Sequence, residues 1–500
     1  MEYVIGIDIG TTSVKTILLS AEGNIVDEDT QEHNLLSLHP GWAEEDANVW
    51  WSDTIKTLKK LSSRNPDKMN NVKGLGVSGM VPAIVILDAQ GEPLRKTIQQ
   101  NDARAVEQIE VVKNNLDQEI LFDHVGGYTN QQHVIPRLLW VKENEPDVWK
   151  KAAHVMGSYD WIVYKLTNQL SIEVNWAVES GMFDIRKQCW IPEYMKKFDI
   201  DEKLFARVHM STDIVGTVTE EVAKKTGLKT GIPVVAGSAD HVASTLAANI
   251  TEPGDLLIKF GGAGDILYCI DKIDPLKKLF FDYHLIPSQY LLNGCMAASG
   301  SLVKWLTKDI FGNYDSDALK EMDKTAEKLV PPGSDGLVIL PYFIGEKTPI
   351  FDPTARGVMV GLTLSHTKAH LFRACLEAVI YGFRHHIDVL KEGGYVPKHI
   401  YATNGGSKSA FWCQIAADIL NAEIKSYPHH PGSSLGVAFM AGKALGLFSD
   451  WKQISECLHE YKIYRPIQKN VEIYNRTYAI YRNTYNQLKP VFKDIQHVYD

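Results

Sequence analysis

The first twenty residues are two long apolar runs with one short polar interruption. Tyr3 to Ile9 reads YVIGIDI, and Ser13 to Ala21 reads SVKTILLSA. Both are rich in β-branched residues, and a glycine turn separates them, so the pattern predicts a hairpin. GNIVDEDTQEH, from Gly23, adds a third strand. DANVWWSDTIKTLKKLSS repeats apolar positions at helical spacing, with Asp46 as its N-cap. VKGLGVSG and AIVILDAQG return to strand patterning, VIPRLLWVKENEPDVWKKAA reads as a helical segment, and GIPVVAGSADHVASTLAANI reads as strand, loop and helix.

The pattern restarts at Gly254. GDLLIKFGGAGDILYCI is again strand, glycine-rich turn and strand. SGSLVKWLTKDIFG, TKAHLFRACLEAVIYGFRHHIDVLKEG and SKSAFWCQIAADILN predict helices, and DGLVILPYF and HIYATNGG predict strands. VEIYNRTYAIYRNTYNQLKPVF predicts a closing helix that packs on the rest. Two halves that each open on a glycine-turned hairpin and alternate strands with helices predict an α/β duplication. The division falls at Thr251 to Gly254, giving domains 1–250 and 251–500. The length of 500 residues agrees, being too great for one core.

Composition narrows the class. A hydrophobic share of 45% and a charged share of 23% are those of a soluble globular protein. The net charge of -9 argues against nucleic acid or an anionic membrane as partner. Six scattered cysteines without a CxxC pair predict buried free thiols, with no zinc site and no disulfide framework. No apolar run reaches the roughly 18–20 residues of a membrane span. The N-terminus has no basic leader, so a cytoplasmic protein is expected.

The first turn carries candidate chemistry. Gly10 lets backbone N–H groups converge, and Thr11, Thr12 and Ser13 add hydroxyl donors, a combination suited to phosphate. Asp8, at the strand end, suits Mg2+, which in turn holds phosphates. Lys15 either adds positive charge or reaches solvent. The same residues also describe an ordinary polar turn. The second turn, FGGAGD, contains Gly261 and Gly262; two such turns facing each other would enclose a polyphosphate. In NGGSKSAFW, Gly405 and Gly406 allow either close approach of a flat ring or a bare strand-to-helix turn. Asp240 follows a buried strand as a general base for a substrate hydroxyl or as a helix N-cap, and its residue type suits both. His241 beside it is a substrate contact or a structural histidine.

These segments resemble the FGGY family of carbohydrate kinases nearly end to end. DIGTTSVK resembles the family's first phosphate loop, HPGWAEEDANVWW the PGWxE stretch of its pentulose kinases, and NDAR its acidic-basic substrate segment. IPRLLWVKENEP resembles the first family signature, with Arg137 where Lys is usual. GVMVGLTLSHTKAHLFRACLEAV follows the second, Cys375 being its departure, and LPYFIGEKTPIFDP resembles the PYxxGERTP segment. The resemblance implies a two-domain actin/Hsp70-like (ribonuclease H-like) fold with ATP in the interdomain cleft. It implies that Asp240 is the catalytic base and Asp8 the magnesium-linked aspartate. Thr11, Thr12, Ser13, Gly261, Gly262, Gly300, Lys304, Gly405, Gly406 and Ser409 then match ATP positions. Met80, Val81, Asp102, Arg104, Asp240 and His241 match the substrate side, although Asp102 and Arg104 also read as an exposed ion pair.

Two departures stand out. Xylulokinases carry a Gly-Gln-Met-His-Gly stretch where this chain has SGMVPAIVILD, so Pro82 replaces a histidine and offers no side-chain donor. FGGAGD replaces a Gly-Thr-Ser turn, which removes two hydroxyls and adds Asp265. The expectation is ATP- and Mg2+-dependent phosphorylation of a small sugar, foremost a ketopentose such as xylulose. Ribulose, glycerol, a tetritol or an autoinducer-type dihydroxy ketone are alternatives, as is a nucleotide-dependent switch on the Hsp70-like fold. A homodimer is left open.

Overall fold

The computed structural model describes residues 1–313 and 315–496. Two seven-stranded sheets dominate it. The first contains β1 (Tyr3–Ile9), β2 (Ser13–Ser20), β3 (Ile25–Glu32), β4 (Val72–Gly79), β5 (Ile214–Thr217) and β6 (Pro233–Val235) in the order β5-β6-β4-β1-β2-β3. A short β7 (Ser238–Ala239) pairs with the end of β4. The second contains β8 (Asp255–Phe260), β9 (Gly264–Ile270), β10 (Phe280–Tyr283), β11 (Tyr290–Met296), β12 (His399–Thr403), β13 (Ile424–Ser426) and β14 (Lys462–Tyr464). Their order is β10-β11-β9-β8-β12-β13-β14.

The expected duplication is present in the wiring. β1 pairs antiparallel with β2 and parallel with β4, and β8 pairs antiparallel with β9 and parallel with β12. Each half thus has a central strand with a hairpin partner on one side and a crossover neighbour on the other.

The helices follow the sequence pattern with two exceptions. α1 (Ala47–Arg64) starts where expected, and Asp46 Oδ1 accepts from Asn48 N at 2.9 Å. The single helical segment expected through VIPRLLWVKENEPDVWKKAA is two helices, α2 (Val134–Asn144) and α3 (Pro146–Lys151). Pro146 has no N–H and forces Glu145 to φ -128°, ψ 58°, which ends α2. Next come α4 (Val174–Glu179), α5 (Asp240–Ala247) and α6 (Gly300–Lys304). α6 continues as a widened π-type turn over Trp305–Ile310, where a plain helix was expected. α7 (Lys368–Glu392), α8 (Ala410–Leu420), α9 (Ser433–Ala444) and α10 (Gln468–Gln496) follow in the second half. α10 packs as expected, burying Tyr474 and Tyr481.

One helix crosses between the halves. α9 lies late in the chain but packs on β1 and β4 of the first sheet and against α5. A Cβ on Gly6 would lie 2.0 Å from Ser434 O, and one on Gly76 would lie 2.3 Å from Val437 O. A Cβ on Gly436 would lie 2.0 Å from Ala243 O of α5. These glycines let backbones touch where a side chain would hold them apart.

The cysteine expectation needs correction at two positions. All six are free thiols, but Cys189 is exposed and Cys295 partly exposed. Cys189 lies on a two-residue strand paired with Phe183–Asp184, and its side chain is on the exposed side of that pair. Among the described residues, no helix is long and apolar enough to cross a membrane.

Candidate active site

Strand register assembles the first part of the site. Asp8 of β1 is level with Ser78 of β4, and Ser78 is level with Ser238 of β7. Asp240 follows two residues later as the first residue of α5. Asp8 near the end of β1 and Asp240 just past β7 therefore flank the carboxyl end of β4, where open α/β sheets receive ligands. β1 is buried throughout except at Asp8. Ser78 Oγ donates to Asp8 Oδ1 at 2.8 Å. Burial and then the Asp240 charge push the Asp8 carboxyl up to about 6, against the pull of Ser433, Ser78 and Lys15. Lys15, level with Asp8 on β2, reaches Glu28 Oε2 at 2.8 Å.

Asp240 is not the helix cap that its residue type allowed. Ala239 holds the cap position, and Asp240 Oδ1 accepts from the next backbone N–H, His241, at 2.6 Å. Its side chain remains 35% exposed. Burial alone would raise its carboxyl, but the His241 hydrogen bond and charge, with Lys259 behind them, hold it below the usual carboxylate range. Asp240 is therefore ionised and able to accept a proton.

His241 bridges the halves. Its Nδ1 lies 3.6 Å from Asp240 Oδ1, and its Nε2 lies 3.2 Å from Asp282 Oδ2 on β10. Asp282 is fully buried; Asn293 Nδ2 donates to its Oδ2 at 3.1 Å, and its Oδ1 has no hydrogen bond among the described residues. A buried carboxylate needs a cation beside it. Burial opposes protonation of His241, but Asp282 and Asp240 outweigh it and hold the imidazole well above its ordinary value. Glu179, ending α4, belongs to the same group; burial and then Asp282 push its carboxyl up to about 7.

The two glycine turns differ in construction. In the first, Gly10 N donates to Ser13 O at 2.9 Å, Thr11 Oγ1 donates to Met80 Sδ at 3.2 Å, and Thr12 is exposed. In the second, Gly261 O accepts from Gly300 N at 2.8 Å, and Gly262 O accepts from Ser299 N at 2.9 Å and Ser301 N at 3.1 Å. Gly261, Gly262 and Gly300 are thereby stapled together at the start of α6, while Lys304 sits exposed at its far end. Gly405 and Gly406 lie in a tight turn directly after β12, whose Thr403 is level with Lys259 of β8. Gly405 borders open space, whereas a Cβ on Gly406 would lie 2.5 Å from the Trp412 ring. Ser409 caps α8, its Oγ accepting from Trp412 N at 3.0 Å.

The residues expected on the substrate side form a packed wall. Met80 and Val81 are buried, with Met80 O accepting from Ser158 Oγ at 2.9 Å. Asp102 and Arg104 do pair, through Nε at 2.8 Å and Nη2 at 2.7 Å, but the pair is not exposed: the side chains are 0% and 1% accessible. The PGWAEED segment folds over them. Ala43 N donates to Asp102 Oδ2 at 2.6 Å, Glu44 Oε1 lies 2.8 Å from Arg104 Nη2, and the Arg104 guanidinium stacks 3.8 Å from the Trp42 ring centre. Arg104 Nη1 is left without a hydrogen bond among the described residues.

Arg137 links this wall to the strand ends. It donates to Pro82 O at 2.8 Å, Gln100 O at 2.9 Å and Gln131 O at 2.8 Å. Burial pushes its guanidinium down to about 10. A lysine at this position offers one ammonium in place of a planar fork and leaves buried carbonyls without donors. Arg137→Lys is expected to lower stability by about 2 kcal/mol in equilibrium denaturation; an unchanged midpoint would refute the clamp.

Residues 3–247 match the N-terminal domain, and residues 275–445 the C-terminal domain, of the FGGY family of carbohydrate kinases. The chain belongs to that family. A xylulose kinase from Staphylococcus epidermidis is 30% identical over 505 residues, covering 99% of this chain and 98% of that protein. The crystal structure of xylulose kinase from Rhodospirillum rubrum superposes with a TM-score of 0.93 at 39% identity, over 98% of this chain and all of that one. The gluconate kinase structure from Lactobacillus acidophilus gives 0.91 at 26% identity, over 99% of each chain. The fold is accordingly the two-domain actin/Hsp70-like one.

Three charged residues of this carbohydrate kinase had escaped the sequence reading. Asp282 and Glu179 lie in elements without a motif, and nothing local marks them. Lys259 did carry a signal: it stands two residues before Gly261, as Asp8 stands two residues before Gly10. Asp265, without a role in the sequence, pairs with it at 3.4 Å.

Proposed function

We propose that this kinase transfers the γ-phosphoryl group of ATP to a hydroxyl of a small sugar, with a ketopentose such as xylulose as its substrate. The carrying observation is the ionised Asp240 carboxylate at the strand ends, close enough to Asp8 to raise its proton affinity. Asp240 takes the proton of the attacking hydroxyl, worth roughly 100- to 10,000-fold. Thr11, Thr12 and Ser13 hold phosphate from one half, and Gly261, Gly262 and Gly300 from the other. Gly405, Gly406, Ser409 and Lys304 face the nucleoside side. Met80, Val81, Asp102, Arg104 and His241 shape the sugar side. Residues 1–250 and 251–500 act as the two bodies, and the cytoplasm is the site of action.

The residues present suit Mg2+. Among the described residues no three His, Cys, Asp or Glu side chains gather as a metal cage. Asp8, whose carboxyl is pushed up by burial and then by the Asp240 charge, is a hard-oxygen ligand that would hold Mg2+ together with phosphate oxygens and water. Bound there, Mg2+ supplies neutralisation of phosphate charge.

Gly262 offers a local test. A Cβ there meets nothing within 4 Å, so Gly262→Ala is expected to leave stability within about 0.5 kcal/mol. The added methyl enters the phosphate concavity, so the KM for ATP rises about tenfold. An unchanged KM would remove Gly262 from the phosphate site.

A second substrate reading rests on Pro82. The wall there lacks a side-chain donor, and an apolar wall discriminates weakly among hydroxyl patterns. ADP release measured over pentuloses, polyols, tetroses and sugar acids separates the readings. Xylulose with the highest kcat/KM is the expected result. A polyol or sugar acid ahead of every pentulose would move the substrate class.

A further inference from the structure

The two hairpins carry opposite charges at equivalent places. Asp8 and Lys259 each lie on the central strand of their sheet, two residues before the turn glycine. Each faces an opposite charge in register on the hairpin partner: Asp8 faces Lys15, and Lys259 faces Asp265. The duplication thus puts a cation in the second half where the first half has a carboxylate.

The register fixes that cation near the end of its strand. Lys259 Nζ lies 3.4 Å from Asp265 Oδ2, and its side chain is only 14% exposed. The neighbouring Phe260 points into the core against Phe383 and Trp412. Strand alternation sends Lys259 to the other face. There its charge acts on Asp240 and on His430, in the loop that leads into α9. Burial works against the ammonium, but Asp265 and Asp240 together keep it protonated.

A general base lies within hydrogen-bond reach of the hydroxyl it deprotonates, and that oxygen is bonding to phosphorus. A cation whose charge acts on the base therefore acts on the reacting phosphoryl group as well. The second turn, FGGAGD, brings no hydroxyl of its own to this place. We propose that Lys259, held by Asp265, contacts the transferring phosphoryl group and compensates its charge. The proposal rests on the reading of Asp240 as the base. In the step, the hydroxyl proton passes to Asp240 and the sugar oxygen bonds to phosphorus. The bond from that phosphorus to the bridging oxygen breaks, and its electron pair leaves with ADP. Lys259 stays protonated throughout and stabilises negative charge on the equatorial oxygens.

The competing account is a cross-strand ion pair that only joins β8 to β9. Steady-state kinetics and melting curves on K259M, K259R, D265N, K259M/D265N and D240N separate the two. K259M is expected to lower kcat by about 100-fold or more, with the KM for sugar within about threefold. K259R keeps the charge and recovers at least about tenfold over K259M. K259M/D265N removes both charges and so leaves no Asp265 carboxylate without its partner. It is expected to melt like D265N and to stay as slow as K259M. A double variant within about threefold of the wild-type kcat would overturn the proposal, because the lysine would then serve only its partner. D240N shows which reading has failed: a slow D240N beside a fast double variant sinks Lys259 alone, and a fast D240N sinks the base assignment with it.

Discussion

Asp240→Asn is expected to lower kcat by about 100-fold or more while ATP binding and the melting temperature stay near wild type. A sugar hydroxyl is a weak nucleophile until its proton has an acceptor. The Asp240 carboxyl is held in the accepting form by His241 and Lys259. The amide keeps the shape, and its oxygen can still accept from His241 N as Oδ1 does. Little stability should be lost, since Ala239 and not Asp240 occupies the cap position. A near-normal kcat with a lowered melting temperature would defeat the catalytic assignment. Steady-state kinetics beside a melting curve and a nucleotide-binding titration read all three quantities.

Gly436→Ala is expected to cost about 3 kcal/mol, the upper range for forcing volume into a packed contact. A Cβ at this position would stand 2.0 Å from Ala243 O, 2.7 Å from Ala243 C and 3.1 Å from Ala243 Cα. All three are backbone atoms, so no side chain can rotate out of the way. The crossing of α9 and α5 must open, and α9 is pinned on its other side by the matching contacts at Gly6 and Gly76. The strain therefore falls on α5, whose first residue is Asp240. Denaturation should move to a lower midpoint, and kcat should fall in the fraction that remains folded. An unchanged midpoint and an unchanged kcat together would mean that the crossing is loose.

The elements legible in the sequence were those fixed by neighbours in the chain. The YVIGIDI and SVKTILLS runs, the Asp46 cap and the restart at Gly254 are local patterns of period, turn and cap. The division of α2 from α3 at Pro146 was missed although its signal is equally local, since a proline marks its own helix boundary. The candidate nucleotide positions also came from short segments, because a phosphate turn is built from consecutive backbone groups.

What the tertiary structure decided were pairings between distant segments. Asp282 and His241 lie 41 residues apart in different halves, and neither stands in a pattern that names the other. Asp102 and Arg104 looked like a surface pair until Trp42 and Glu44 closed over them. α9 reads as a helix of the second half, yet it covers β1 and β4 of the first because glycines on three elements let backbones meet. The sequence by itself determined a duplicated α/β chain with two glycine turns and carboxylates at strand ends. Only the fold decided which of these charges meet, because the packing of two separate sheets, and not spacing along the chain, sets those distances.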